Sequence, residues 1–148
     1  MRKFAWISRY DHHEGLSLPV RTTEQSAGYD LASAENLTVS PGQSVLVPTG
    51  LKVYMNATDV LLLIIRSSLA VKHQLVLANQ VGVIDADYVD NPHNEGHIMV
   101  PLMNLSSKPA EIAFGQRIAQ AIFVHYGLVD EDQVQGRRSG GFGSTGHG

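Results

Sequence analysis

The 148-residue chain reads as an all-β domain, a barrel or jelly roll with one short helix and a flexible C-terminal arm. Three observations lead there. Short apolar segments recur along the chain with turn-forming residues between them, and helical periodicity is nearly absent from the middle. Composition then changes abruptly near residue 130, where apolar residues thin out and glycine accumulates.

Strands are expected at residues 4–7, 29–32, 44–47, 51–55, 60–65, 75–77, 97–105 and 118–125. Their boundaries follow turn chemistry. Pro41-Gly42 precedes the third segment, and Pro48-Thr49-Gly50 separates it from the fourth. Asn56-Ala57-Thr58-Asp59 divides the fourth from the fifth, and Ser106-Ser107-Lys108-Pro109 closes the seventh. The helix is expected from Ser67 or Ser68 through about His73, with a serine as N-cap. Its first amides lie beside Arg66, a reasonable place to hold a phosphate. Residues 130–148 hold six of the fourteen glycines and no apolar period, so they cannot build a core. The expected organisation is a β domain at residues 1–129 and an arm at 130–148 that orders when something binds. There is no internal repeat.

Composition excludes several chemistries. The chain has no cysteine, which removes thiol catalysis and Cys-based zinc sites and suits a reducing cytosol. No run approaches the roughly 18 apolar residues of a membrane span, and the N-terminal MRKFAWISRYDHHEG is too charged for a signal peptide. A cytoplasmic protein without membrane contact is expected. A net charge of -3 argues against broad nucleic-acid binding. A small phosphorylated ligand needs only a few basic groups in one place, and Arg66, Arg137 and Arg138 supply them.

Taken alone, GFGSTG at residues 141–146 matches a dinucleotide-binding glycine pattern, yet the chain ends two residues later and no helix can follow. A P-loop is excluded because no Lys-Ser or Lys-Thr follows the last glycine. Phe142, with two arginines before it and Ser144-Thr145 after it, has the makings of a lid that stacks on a nucleotide. VGVIDADYVD places Asp85 and Asp87 two residues apart, either as the polar end of a hairpin or as working carboxylates. Asp85 directly follows Val81-Gly82-Val83-Ile84, so partial burial is expected, and a partly desolvated carboxylate can act as general base toward water. His93-Asn94-Glu95-Gly96-His97 contains ligand-type residues, but Pro92 and the glycine forbid the helix of a zinc protease motif, so loop histidines are expected. Ser67 and Ser68 lack the setting of a nucleophilic serine; capping or phosphate binding explains them.

Five segments together resemble the homotrimeric dUTPases, in a form similar to those of Gram-positive bacteria and their phages. They are SAGYDL (26–31), RSSLA (66–70), NQVGVIDADY (79–88), GQRIAQ (115–120) and RRSGGFGSTG (137–146), and they span nearly the whole chain. The resemblance implies a distorted jelly-roll-like β-barrel and a trimer with three active sites, each shared by all three chains. It implies hydrolysis of dUTP to dUMP and pyrophosphate with Mg2+ as cofactor, which limits uracil in DNA and supplies dUMP for dTMP synthesis.

By that resemblance Asp85 is the catalytic aspartate that orients and deprotonates the attacking water. Tyr88 lies under the deoxyribose, where its ring would clash with a 2'-hydroxyl. Asn79, with backbone groups around Val83 and Ile84, reads uracil, and Met99 lines the sugar pocket. Arg66, Ser67, Ser68 and Gln120 match phosphate-binding positions. Asp30 matches a carboxylate that holds Mg2+ through water, the ion itself riding on the triphosphate. The arm closes a neighbouring subunit's site: Phe142 stacks on uracil, Arg137 reaches the terminal phosphates, and Gly143, Ser144 and Thr145 add phosphate contacts.

Three features depart from the family pattern. Arg138 stands where glycine is usual, which leaves open which of Arg137 and Arg138 meets the phosphates; Ile65 stands where proline is frequent; and residues 89–95 are longer than the usual tight turn. Two other readings stay open at this point: a dCTP deaminase relative, which would lack the GFGSTG arm, and a regulatory protein that uses the scaffold to capture a protein partner or inhibitor.

Overall fold

The computed structural model describes residues 1–138, and the chain folds there into eleven strands and one α-helix. In chain order these are β1 (Lys3–Trp6), β2 (Tyr29–Ala32), β3 (Leu37–Val39), β4 (Ser44–Pro48), β5 (Leu51–Tyr54) and β6 (Asp59–Ile65). Helix α1 (Ser67–His73) follows, then β7 (Leu75–Leu77), β8 (Gly82–Asp85), β9 (Met99–Asn104), β10 (Ala110–Ile112) and β11 (Arg117–His125). All eight expected strands are present. Three more, β3, β8 and β10, run three or four residues each.

Every pairing is antiparallel, and the strands form four sheets, ordered β1-β5, β10-β3, β2-β11-β6-β8 and β4-β9-β7. They enclose one main core in which Leu31, Leu61, Leu63, Leu75, Leu77, Ile98, Leu102 and Ile118 are fully buried. Alternation along β6 and β9 sends every second residue inward, as expected of sheets with one buried face. Among the described residues no buried side-chain polar atom lacks a hydrogen-bond partner. Among the described residues no helix is long and apolar enough to cross a membrane.

Two details place the functional side chains. A bulge in β11 between Arg117 and Ala119 breaks the register with β2, so Ile118 and Ala119 are both buried and Gln120 turns to the outer face. The start of α1 corrects the expected serine cap. The chain leaves β6 still extended at Arg66 (φ -72°, ψ 133°), and the Arg66 carbonyl already accepts from the Leu69 and Ala70 amides at 3.0 and 3.2 Å. Arg66 is therefore the N-cap, Ser67 is the first helical residue, and no side chain caps the helix.

Candidate active site

Among the described residues strand β8 is the edge of its sheet, paired with β6 alone, so its outer backbone edge has no strand partner there. Gly82 is required there. A Cβ at this position would lie 2.9 Å from the Leu63 Cβ across the pair, so only glycine lets β8 sit this close to β6. Beside that edge opens a cavity of about 520 Å³, lined by Asn79, Val81, Val83, Ile84, Asp85, Tyr88 and Met99, with Leu63, Gly82 and Arg138. Six of the nominated residues (Asn79, Val83, Ile84, Asp85, Tyr88 and Met99) thus converge on one space.

Asp85 ends β8 and is half-buried. Alternation puts Gly82 and Ile84 inward and Val83 and Asp85 outward, so the Asp85 side chain is 50% exposed despite the apolar run before it. What covers it is a cation. Arg138 contacts the Asp85 carboxylate through Nη2, and its Nε donates to Asp87 Oδ1 at 2.8 Å. The Arg138 side chain is only 14% exposed, and its guanidinium lies 6.0 Å from the centre of the Tyr88 ring. Arg137 is exposed. Of the two arginines, Arg138 enters the cavity, and it does so within its own chain. Its signal in the sequence was the paired arginine at the root of the glycine-rich arm. Phe142, Gly143, Ser144 and Thr145 lie outside the described residues.

Tyr88 closes a turn of 3-10 helix, Ala86–Tyr88, and is buried. Burial raises its phenol above the ordinary value. The Tyr88 hydroxyl donates to the His97 carbonyl at 2.8 Å and accepts from Asn94 Nδ2 at 2.8 Å. Residues 91 and 94 were not singled out by the sequence, because asparagine in a polar loop carries no signal of its own.

The remaining nominated residues form a second group at the other end of β6. Asp30 on β2 lies opposite Gln120 on β11, and Gln120 lies opposite Ile64, whereas Asp85 lies opposite Val60. Four residues of strand separate the two levels, roughly 13 Å at about 3.3 Å per residue. Asp30 Oδ2 accepts from Thr22 Oγ1 at 2.9 Å and from Arg117 Nη1 at 3.2 Å, and Arg66 Nε stands 3.4 Å from Oδ1. Gly28 lies directly against Gln120; a Cβ there would come within 2.5 Å of Gln120 Oε1. Ser67 and Ser68 are exposed in the first turn of α1. This group does not line the cavity.

Between the two groups the outer face of the sheet is apolar. Val60, Leu62 and Ile64 of β6, Ile122 and Val124 of β11 and Val83 of β8 alternate outward and pair across the strands. Among the described residues no three His, Asp or Glu side chains converge. His97 instead has a structural task, accepting from the Gly50 amide at 2.9 Å through Nε2. Burial, helped by Arg9, pulls its imidazole down to about 4.

Comparison with known proteins places this geometry. The dUTPase family model matches residues 14–146. The chain is 45% identical over 148 residues to the deoxyuridine 5'-triphosphate nucleotidohydrolase of Lactococcus lactis subsp. lactis, covering 99% of this chain and 98% of that protein. The crystal structure of the dUTPase from Streptococcus mutans superposes with a TM-score of 0.79 at 44% identity, over 86% of this chain and 98% of that one. A dUTPase from phage phi11 of S. aureus, in which a structural Mg(II) ion is coordinated, shares the fold at a TM-score of 0.72 and 22% identity, covering 92% and 97%. This chain belongs to the dUTPase family.

Proposed function

We infer that the chain hydrolyses dUTP to dUMP and pyrophosphate, with uracil in the cavity beside β8 and the α-phosphorus at its mouth near Asp85. One observation carries this reading: an unpaired strand edge, an aromatic floor at Tyr88 and a carboxylate at Asp85 border a single cavity of nucleoside size. Free backbone donors and acceptors on β8 can pair with uracil as another base would, with Asn79 beside them. Tyr88 under the sugar leaves no room for a 2'-hydroxyl.

Asp85 accepts a proton from water as the water oxygen bonds to the α-phosphorus. The bond from that phosphorus to the bridging oxygen breaks, and pyrophosphate leaves in line with the electron pair. Little covalent work falls to the protein, which positions the groups and neutralises charge. Arg138 holds two carboxylates, Asp85 at the cavity and Asp87 beside it. It is the arginine we assign to the arriving phosphates, and releasing Asp85 frees it for the water.

Mg2+ bound to the triphosphate would supply further charge neutralisation. The donor set fits such a carried ion. Mg2+ keeps most of its waters and asks for only one or two carboxylates, and Asp30, beside Arg66 and Gln120, offers one through water.

We assign the second group, Asp30, Arg66, Ser67, Ser68 and Gln120, to the phosphates in a neighbouring subunit's cavity. The apolar stripe of β6 and β11 between the two groups supports that arrangement, since burying it against another copy would bring the groups together. Residues 139–148 would close over the nucleotide. The absence of cysteine suits a reducing cytoplasm.

Pyrophosphate release from dUTP, UTP, dTTP and dCTP with Mg2+ tests this reading. Turnover should be confined to dUTP, and Asp85→Asn should lower kcat by about 100-fold or more. Equal rates on dUTP and UTP would remove Tyr88 as sugar gate, and full activity in Asp85→Asn would remove the general base. A chain ending at Gly136 should fold and assemble with little turnover, and native mass spectrometry should give a trimer.

A further inference from the structure

The loop at residues 89–95 is the longest departure of this chain from the family pattern, and its two asparagines converge on Tyr88. The amide orientations are fixed by groups that can only donate. Asn94 Oδ1 accepts from the Gly96 backbone amide at 3.0 Å, so Asn94 Nδ2 must be the atom that faces the Tyr88 hydroxyl at 2.8 Å. The phenol oxygen therefore accepts from Asn94, and its proton goes to the His97 carbonyl. Asn91 repeats the logic. Its Oδ1 accepts from the amides of His93 and Asn94 at 3.0 and 3.2 Å, which turns Nδ2 toward the Tyr88 carbonyl at 2.8 Å and Asn94 Oδ1 at 2.7 Å. Asn91 is itself buried.

The loop that carries these amides is tied down on its far side. Asp90 accepts from Lys52 Nζ at 2.6 Å and from the Tyr54 hydroxyl at 2.7 Å, both on β5. Glu95 accepts from the Ser8 amide at 3.0 Å. Gly96 closes the loop at φ +82°, where a Cβ would stand 2.7 Å from the Val89 Cα and 2.8 Å from the Tyr88 carbonyl oxygen. A segment this thoroughly anchored, built of short side chains and aimed at one phenol, does more than connect two strands.

We propose that Asn94 is a positioning residue for sugar selection: its side-chain amide and the His97 carbonyl hold the Tyr88 phenol from two sides and so set the ring plane under the deoxyribose. Asn91 and the anchored loop in turn hold Asn94. This rests on the reading of Tyr88 as the sugar gate. Removing the Asn94 bond takes away one hold on the phenol and lets the ring shift, and displacements of about 1 Å can cost about 100-fold in a reacting geometry. A 2'-hydroxyl needs little more room than that.

The test is kcat/KM for dUTP and for UTP in wild type, Asn94→Ala, Tyr88→Phe and the double variant, with thermal melting of each. Asn94→Ser is the second probe. Its hydroxyl can still accept from the Gly96 amide as serine turns do, but it is too short to reach the phenol. Both Asn94 variants should lower the preference for dUTP over UTP about tenfold, with the change falling mainly on UTP. Tyr88→Phe should lower it at least as much, and the double variant should add little to Tyr88→Phe, because Asn94 acts through the hydroxyl that Tyr88→Phe already removes.

If wild type fails to discriminate dUTP from UTP, the sugar-gate reading falls and this proposal with it. If wild type discriminates and both Asn94 variants keep the full preference, the proposal alone is overturned, even where their melting temperatures drop. Additive losses in the double variant would also overturn it, since Asn94 would then act by another route.

Discussion

His97 makes stability depend on pH in a direction the ordinary imidazole would not. Its ring packs within 5.8 Å of the Tyr10 ring and accepts from the Gly50 amide, an arrangement that requires the neutral form at Nε2. Burial holds its titration near 4, whereas the unfolded chain titrates near the ordinary 6.5. Between those values unfolding takes up a proton, so stability is fully present above about pH 6.5 and falls as pH drops toward 4. The two values are about 3 kcal/mol apart in full. About 2 kcal/mol of that falls between about pH 7.5 and 5, and the ring's partial exposure reduces it to about 1–2 kcal/mol.

His97→Gln is the matched perturbation, because its Oε1 can accept from Gly50 and does not titrate. Urea unfolding of both proteins at fixed concentration, at about pH 7.5 and 5, should show wild type losing about 1–2 kcal/mol more than the variant on acidification. A stability difference between the two proteins that does not change with pH would refute the reasoning.

Other outcomes follow from the packing. Leu102 is fully buried in β9, paired with Val45 on one side and Leu77 on the other, so Leu102→Ala should cost about 2–5 kcal/mol in urea unfolding. Gly28→Val should leave the fold intact but displace Gln120, whose Oε1 lies 2.5 Å from where a Cβ would be. An increase of about tenfold in KM for dUTP is the expected reading, and an unchanged KM would remove Gln120 from the phosphate site. Ile122→Lys puts a charge in the apolar stripe opposite Leu62 and should yield a folded monomer without turnover, by sedimentation and pyrophosphate release; a fully active monomer would refute the shared site.

Most of the fold was legible because its strands are bounded by proline, glycine and asparagine turns, and alternation within six or seven residues is a local property, as in β6 and β9. β3 (LTV) and β10 (AEI) were not legible, since a polar residue interrupts each and neither shows the short apolar run that marks β7. β8 was hidden as well, and with it the inward and outward alternation that leaves Asp85 half-exposed. The span of α1 was legible and only its cap was not, because the Arg66 carbonyl, rather than a serine hydroxyl, begins the helix.

The sequence by itself determined the chemistry available: which carboxylates, arginines and aromatics exist, in what order, and that a glycine-rich tail ends the chain. It also placed Asn79, Asp85 and Tyr88 near one another, since so short a stretch of chain joins them. Tertiary structure decided the rest. It set Asp30 between Arg66 and Arg117, brought Arg138 to Asp85, and wrapped Asn91 and Asn94 around Tyr88 with anchors on β5 and at Ser8. These contacts join residues from as few as three to as many as 87 positions apart. The long ones depend on strand register and the β11 bulge, and the short ones on a loop path held from outside, so no local pattern in the chain could encode them.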